Sequence, residues 1–165
     1  MKNTIKVFGI IAIVAVIGLA MAACGEEPVT FTSEDKEVTS SGQLTITGLS
    51  AYNGRKINAY GSGLTSSGDS VRLFAYQTAY NVYSYEDGKL VNIEAGHGTD
   101  GTITGGQVTL KVFGMKINSY GGEFASYTGN DLNVSFGVMI DNSSVGSVMN
   151  VNFNNGVGSG AFVPD

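Results

Sequence analysis

The sequence predicts an all-β protein, a Gly-rich antiparallel β-sandwich with a barrel as the variant arrangement, following a signal peptide and a short tether. Three observations predict it. From Gln43 onward, apolar and β-branched residues recur with period two. Clusters of Gly, Asn, Asp and Ser divide this pattern at roughly 8–12-residue spacing, as in sandwiches and barrels. No window of about eleven residues or more shows an i, i+3, i+4 apolar stripe with helix caps. The 165-residue chain holds 24 glycines, about twice ordinary usage.

Taken in order, Met1 to Lys6 carries two lysines and no acid, and Val7 to Ala23 is an uncharged run of 17 residues. A basic start, an apolar stretch and the small residues Ala22 and Ala23 form a secretory signal. A transmembrane helix is the competing reading, since 17 residues is close to the shortest span of a bilayer. Met21-Ala22-Ala23-Cys24 resembles the bacterial lipobox, with Met where Leu is usual. The resemblance implies that Cys24 is acylated, becomes the mature N-terminus and carries two or three acyl chains such as palmitate. One chain binds a bilayer only marginally, whereas several anchor it stably. Cys24 is the only cysteine of the chain. Anchoring would use its sulfur, and no intrachain disulfide can form. The implied location is a bacterial cell envelope, on the outer membrane.

Removing residues 1–23 lowers Lys+Arg from 9 to 7 against 14 Asp+Glu, a net charge of −7. An acidic chain without a basic stripe is a poor nucleic-acid binder. One Cys and one His cannot build a zinc site. No cofactor is expected.

Residues 24–42 follow as the acylated cysteine and an acidic tether, GEEPVTFTSEDKEVTSSG from Gly25. This composition favours solvation over burial. An N-terminal strand over Val29 to Ser33 is the alternative, because VTFT alternates.

Residues 43–165 are expected as one domain. Its strand segments are 43–47, 56–60, 70–76, 81–85, 89–95, 101–104, 107–113, 132–140, 147–153 and 160–163, each alternating or β-branched. Glu86-Asp87-Gly88 between two of them is a hairpin signal. Separators include GHGTDG at 96–101 and DNSS at 141–144. The expected core is Leu44, Ile46, Ile57, Val71, Leu73, Leu90, Ile93, Val108, Leu110, Val112, Val134, Phe136, Val138, Val151, Phe153 and Phe162. An internal echo suggests two pseudo-repeats. Thr45-Ile46-Thr47-Gly48 recurs as Thr102-Ile103-Thr104-Gly105, and Lys56-Ile57-Asn58 recurs as Lys116-Ile117-Asn118.

The opening TITGLSAYNG, the turn YTGND and the Gly-rich ending NGVGSGAFV, with the basic signal, resemble short acylated lipoproteins of spirochaetes, Treponema-like ones in particular. The resemblance is one of texture and carries over no functional residue.

Catalytic signals are weak. His97 in GHGTDG has Asp100 three residues on, a spacing that suggests a base and its orienter. A glycine-flanked loop histidine is more often simply solvent-exposed. No G-x-S-x-G elbow is present. Glu34/Asp35 and Glu86/Asp87 are adjacent pairs and point apart on a strand, unlike the facing carboxyls of a glycosidase. Asp69, Asp87, Asp100, Asp131 and Asp141 fall in turns, where aspartate mostly bonds its own backbone. None forms a calcium loop.

The tyrosines point to recognition. Tyr76, Tyr80, Tyr83 and Tyr85 fall within ten residues, and Tyr83 and Tyr85 share a strand face. Tyrosine supplies contact area at low entropic cost, although cross-strand packing uses it as well. These four are the candidate ligand-binding residues. The expected function is non-catalytic binding of a protein or matrix ligand by a membrane-anchored domain. Carriage of a small glycan or lipid is the alternative. A pocket lined by Tyr76, Tyr83 and Tyr85 would favour the small ligand, and a flat tyrosine patch the protein partner.

Overall fold

The computed structural model describes residues 27–65 and 68–165. The signal segment 1–23 and Cys24 lie outside them. The strands are β1 (Phe31–Glu37), β2 (Gly42–Thr47), β3 (Lys56–Thr65), β4 (Ser70–Tyr76), β5 (Thr78–Glu86), β6 (Lys89–Thr99), β7 (Gly101–Thr102), β8 (Val108–Asn118), β9 (Gly121–Ser126), β10 (Asp131–Ile140), β11 (Ser143–Val151) and β12 (Val157–Pro164). Helix among the described residues is limited to a single 3-10 turn at Ser50–Tyr52. The all-β fold is as the periodicity predicts.

Two turns have the geometry their residues favour. Asp87 and Gly88 (φ 47° and 76°) join β5 to β6, and Asp141 and Asn142 (φ 47° and 66°) join β10 to β11. Positive φ at both central positions matches the right-handed twist of the strands, and Asp, Asn and Gly tolerate it best.

Strand β8 is the pivot of the topology. Its residues 108–112 pair with β2 on one edge, and residues 111–114 pair with β4 on the other. The path β2–β12–β11–β10–β3–β4–β8 therefore returns to β2 as a closed ring of seven strands. Every contact in it is antiparallel except β12 with β2. An odd ring cannot alternate direction all the way round, so one parallel pair is required. The expected sandwich is thus a closed one, with facing layers that belong to a single continuous barrel-like sheet.

One side chain in two points into the ring. Leu44 and Ile46, Ile57 and Ala59, Leu73 and Ala75, Leu110 and Val112, and Val134, Phe136, Val138 and Ile140 are essentially buried, with Val148, Val151 and Phe153. They fill the interior, as small barrels do. The inward positions of β12 are Gly158 and Gly160. A Cβ at Gly158 would press on Val151 and Phe153, and one at Gly160 on Val148. The Gly-rich ending is therefore a packing device, with glycine making room for large neighbours. Val71, Leu90 and Phe162, expected in the core, are only half-buried.

A second region grows from the far half of β8. β9 pairs with residues 113–118, then β6 lies parallel to β9 at Ile93 and Glu94, followed by β5 and β1. This accessory sheet has its own small cluster of Ala79, Phe113 and Phe124, bordered by Val38, Phe74, Tyr76, Ala95 and Met115.

Three expectations need correction. The stretch 24–42 is not only a tether, because Phe31–Glu37 pairs residue by residue with β5. The separator 96–101 is mostly strand, with β6 running to Thr99 and β7 starting at Gly101. One segment of the echo does not mark equivalent places, since Ile57 is fully buried in β3 whereas Ile117 is 75% exposed near the end of β8, while in the other Ile46 and Ile103 are both buried.

Candidate functional site

The alternation of β5 sorts the four tyrosines. Asn81, Tyr83 and Tyr85 point to one face, and Tyr80 points to the other. Tyr80 stacks on His97, its cross-strand partner, with ring centroids 4.8 Å apart and planes 21° apart. Tyr76 ends β4 and packs inward, its ring edge-on to Phe124 at 6.2 Å. Gly98 leaves room for that ring, since a Cβ there would overlap it. Burial raises the Tyr76 phenol above its ordinary range, with the nearby Asp100 charge adding to it. The four tyrosines therefore do not form one surface. Tyr83 and Tyr85 stay together, Tyr76 belongs to the small core, and Tyr80 lies behind.

Around Tyr83 and Tyr85 the fold assembles charged residues that are distant in sequence. β1 runs antiparallel to β5 and sets Glu34 opposite Tyr83. The Tyr85 hydroxyl donates to Glu34 Oε1 at 2.6 Å. Lys36 Nζ lies 2.6 Å from the same oxygen and 4.5 Å above the Tyr83 ring. The Tyr83 hydroxyl donates to Glu123 Oε2 at 3.3 Å, and Asn118 Nδ2 donates to Glu123 Oε1 at 3.1 Å. The result is a continuous polar chain across β1, β5, β9 and β8.

Its electrostatics are those of paired charges near water. The hydrogen bond from Lys36, and then that from Tyr85, holds the Glu34 carboxyl below the ordinary glutamate range. Glu34 in turn raises the Lys36 ammonium and the Tyr85 phenol. The Lys36 ammonium over the Tyr83 ring is a cation–π contact.

Asn81 holds this face in register. It is 3% exposed. Its Nδ2 donates to the Phe124 carbonyl at 2.9 Å, and its Oδ1 accepts from the Phe124 amide at 2.8 Å. A side-chain amide thereby replaces a strand neighbour and fastens the edge of β9 against the face of β5. Both buried backbone groups are satisfied, which avoids the cost of leaving them bare.

The remaining sequence candidates go elsewhere. His97 lies on β6 rather than in a loop and meets Tyr80. Asp100 accepts from Asn58 Nδ2 at 2.8 Å. Asp141 binds Arg55 Nε at 2.6 Å and accepts from the Lys56 amide at 3.0 Å, and both contacts hold its carboxyl below the ordinary range. Asp87 accepts from the Thr30 amide at 2.9 Å. Among the described residues no group of three or more His, Cys, Asp or Glu is placed to hold a metal ion.

Sequence reasoning missed Glu34, Lys36, Asn118 and Glu123. The first two were legible in principle, because residues two apart share a face once Phe31–Glu37 is read as a strand. Comparison with known protein families, with curated proteins and with solved structures found no match for this chain.

Proposed function

We propose that this chain is an acylated lipoprotein of a bacterial envelope, anchored through Cys24, whose domain is a non-catalytic binding module for a protein or matrix partner. The anchoring half rests on the lipobox-like Met21–Cys24 at the end of the apolar run. The binding half rests on the half-buried face of Tyr83, Tyr85, Glu34, Lys36 and Glu123. Aromatic rings flanked by paired opposite charges suit a partner that brings its own polar groups.

The runner-up, carriage of a small glycan or lipid, needs an enclosed space, and the barrel interior is filled by its own side chains. His97 and Asp100, the residues with most hydrolytic promise, are engaged by Tyr80 and Asn58. Binding is the better use of what remains.

Two measurements test the two halves separately. Cys24→Ala should move the protein from the membrane fraction to the soluble one. If it stays membrane-bound and uncleaved, Val7 to Ala23 is a span and the anchoring half fails. For the binding half, a photoreactive phenylalanine analogue replaces Tyr83 or, on the barrel, Tyr60, which is 47% exposed. A discrete cross-linked partner from Tyr83 alone supports the assignment. Equal or absent cross-linking at both sites removes this face as the binding surface.

A further inference from the structure

Exposed large apolar side chains fall into two sets, of which Tyr60, Leu64, Met149, Val157 and Val163 lie along the barrel strands β3, β11 and β12. Val29, Phe31, Val91, Ile117 and Tyr120 are each 45–75% exposed. The strand register brings all five to one end of the accessory sheet. Phe31 opens β1 opposite Glu86, at the tip of the β5–β6 hairpin. The tip and the preceding segment are tied by reciprocal bonds, Thr30 N–H to Asp87 Oδ1 and Asp87 N–H to the Thr30 carbonyl, both 2.9 Å. The turn between β8 and β9 reaches the same end, because Gly121 pairs with Ile93 and the Ile93 amide donates to the Tyr120 carbonyl at 3.0 Å.

Chain length says what covers this end. Only residues 25–30 separate Cys24 from Phe31. Even fully extended, seven residue steps reach about 25 Å. A cysteine acylated in a bilayer would therefore hold this end, and not the opposite one, at the membrane surface. Its local charges are mixed, with Glu86 and Asp87 beside Lys89, which suits a neutral lipid interface better than an anionic one. Tyrosine settles at such interfaces, and phenylalanine is buried on their apolar side.

We infer that in the anchored protein the end carrying Val29, Phe31, Val91, Ile117 and Tyr120 rests in the interfacial layer of the bilayer that holds the Cys24 acyl chains, and that the barrel points away from it. This rests on the anchoring reading above. The tyrosine–glutamate face would then stand beside the membrane, within reach of partners that lie at its surface.

The chain contains no tryptophan, so single introduced tryptophans report without background. Phe31→Trp and Tyr120→Trp probe the proposed membrane end, with Ile117→Trp as a replacement if either fails to give a β-type circular dichroism spectrum. Val163→Trp probes the opposite end, because β12 runs beside β2 toward the start of β8, away from Asn118. Each full chain is purified from membranes and reconstituted into phosphatidylcholine vesicles with or without brominated acyl chains. Brominated lipid should quench the membrane-end tryptophans, with blue-shifted emission, and leave Val163→Trp unaffected. Equal quenching at both ends, or none at either in protein that floats with the vesicles, overturns the docking while anchoring stands. Protein that does not float, with a Cys24 peptide of unmodified mass, overturns the anchoring and the docking together.

Discussion

The barrel and the accessory sheet are built from the same kinds of strand, yet they are held by different means. In the barrel the ladder closes on itself, and a large apolar cluster from Leu44 to Phe153 fills the space inside. The accessory sheet ends openly at β1, buries only Ala79, Phe113 and Phe124 in its own cluster, and relies on side-chain hydrogen bonds to stay folded over. A closed ring leaves no strand edge to satisfy. An open sheet must spend side chains on its edges, and those side chains are then arranged at the surface where a partner can meet them. Charges on β1 also discourage edge-to-edge pairing with other chains.

The largest expected effect separates the two regions by their cores. Phe136 is completely buried in the barrel, and Phe124 is 6% exposed in the small cluster. Phe136→Ala should cost about 3–5 kcal/mol of global stability, as large core truncations do. Phe124→Ala should cost less, and hydrogen exchange should rise in β1, β5 and β6 before it rises in the barrel. Equal loss of protection in both regions would show that they unfold as one unit.

A second comparison asks whether the accessory sheet depends on Asn81. Asn81→Ala leaves a buried amide and carbonyl of Phe124 without partners, an expected loss of about 1–3 kcal/mol in chemical denaturation. Asn81→Asp keeps the acceptor but sets a carboxylate against the Phe124 carbonyl, and should be no better. If Asn81→Leu proves neutral, packing alone holds β9 to β5.

The same contrast explains what could be read from the sequence. Barrel strands bury one face, so Leu44-Thr45-Ile46 and Val134 to Ile140 show their alternation openly. Strand β1 buries no side chain fully, and its residues FTSEDKE therefore look like a solvated linker. Strand β9 is short and begins Gly-Gly, with Phe124 as its one buried residue. The shared face of Tyr83 and Tyr85 was visible from their spacing, whereas Tyr80 fell outside the expected strand 81–85 and its opposite face emerges only once β5 is seen to begin at Thr78. The partners of Tyr83 and Tyr85 were not visible, because Glu123 lies 40 residues from the first and Glu34 lies 51 from the second. Only the topology brings them together. Likewise the stacking of His97 on Tyr80 follows from a register that includes a bulge, which no local pattern announces.

The smallest effect, and the most selective, is on pH dependence. Glu34 on the accessory sheet and Asp141 on the barrel both have depressed carboxyl pKa values. Each folded carboxylate resists protonation more than its unfolded counterpart, so each adds stability that is present above the ordinary carboxylate range and is lost as pH falls through the lower folded value. Lys36 and Tyr85 are shifted upward, so their contribution is full below their ordinary values and is lost as pH rises through the folded ones. Asp141, paired with Arg55, contributes through its own depressed carboxyl, which gives an acid limb. Hydrogen-exchange protection of β1, taken relative to the intrinsic exchange rate at each pH, should therefore fall at both acid and alkaline pH, and Glu34→Gln should flatten both limbs. Protection around the β10–β11 turn, on the same relative scale, should fall only in acid, and Asp141→Asn should remove that limb without altering β1. An alkaline limb at the β10–β11 turn, or a pH response of β1 unchanged by Glu34→Gln, would place the titrating contacts elsewhere and break the distinction between a sheet held by its side chains and a barrel held by its closure.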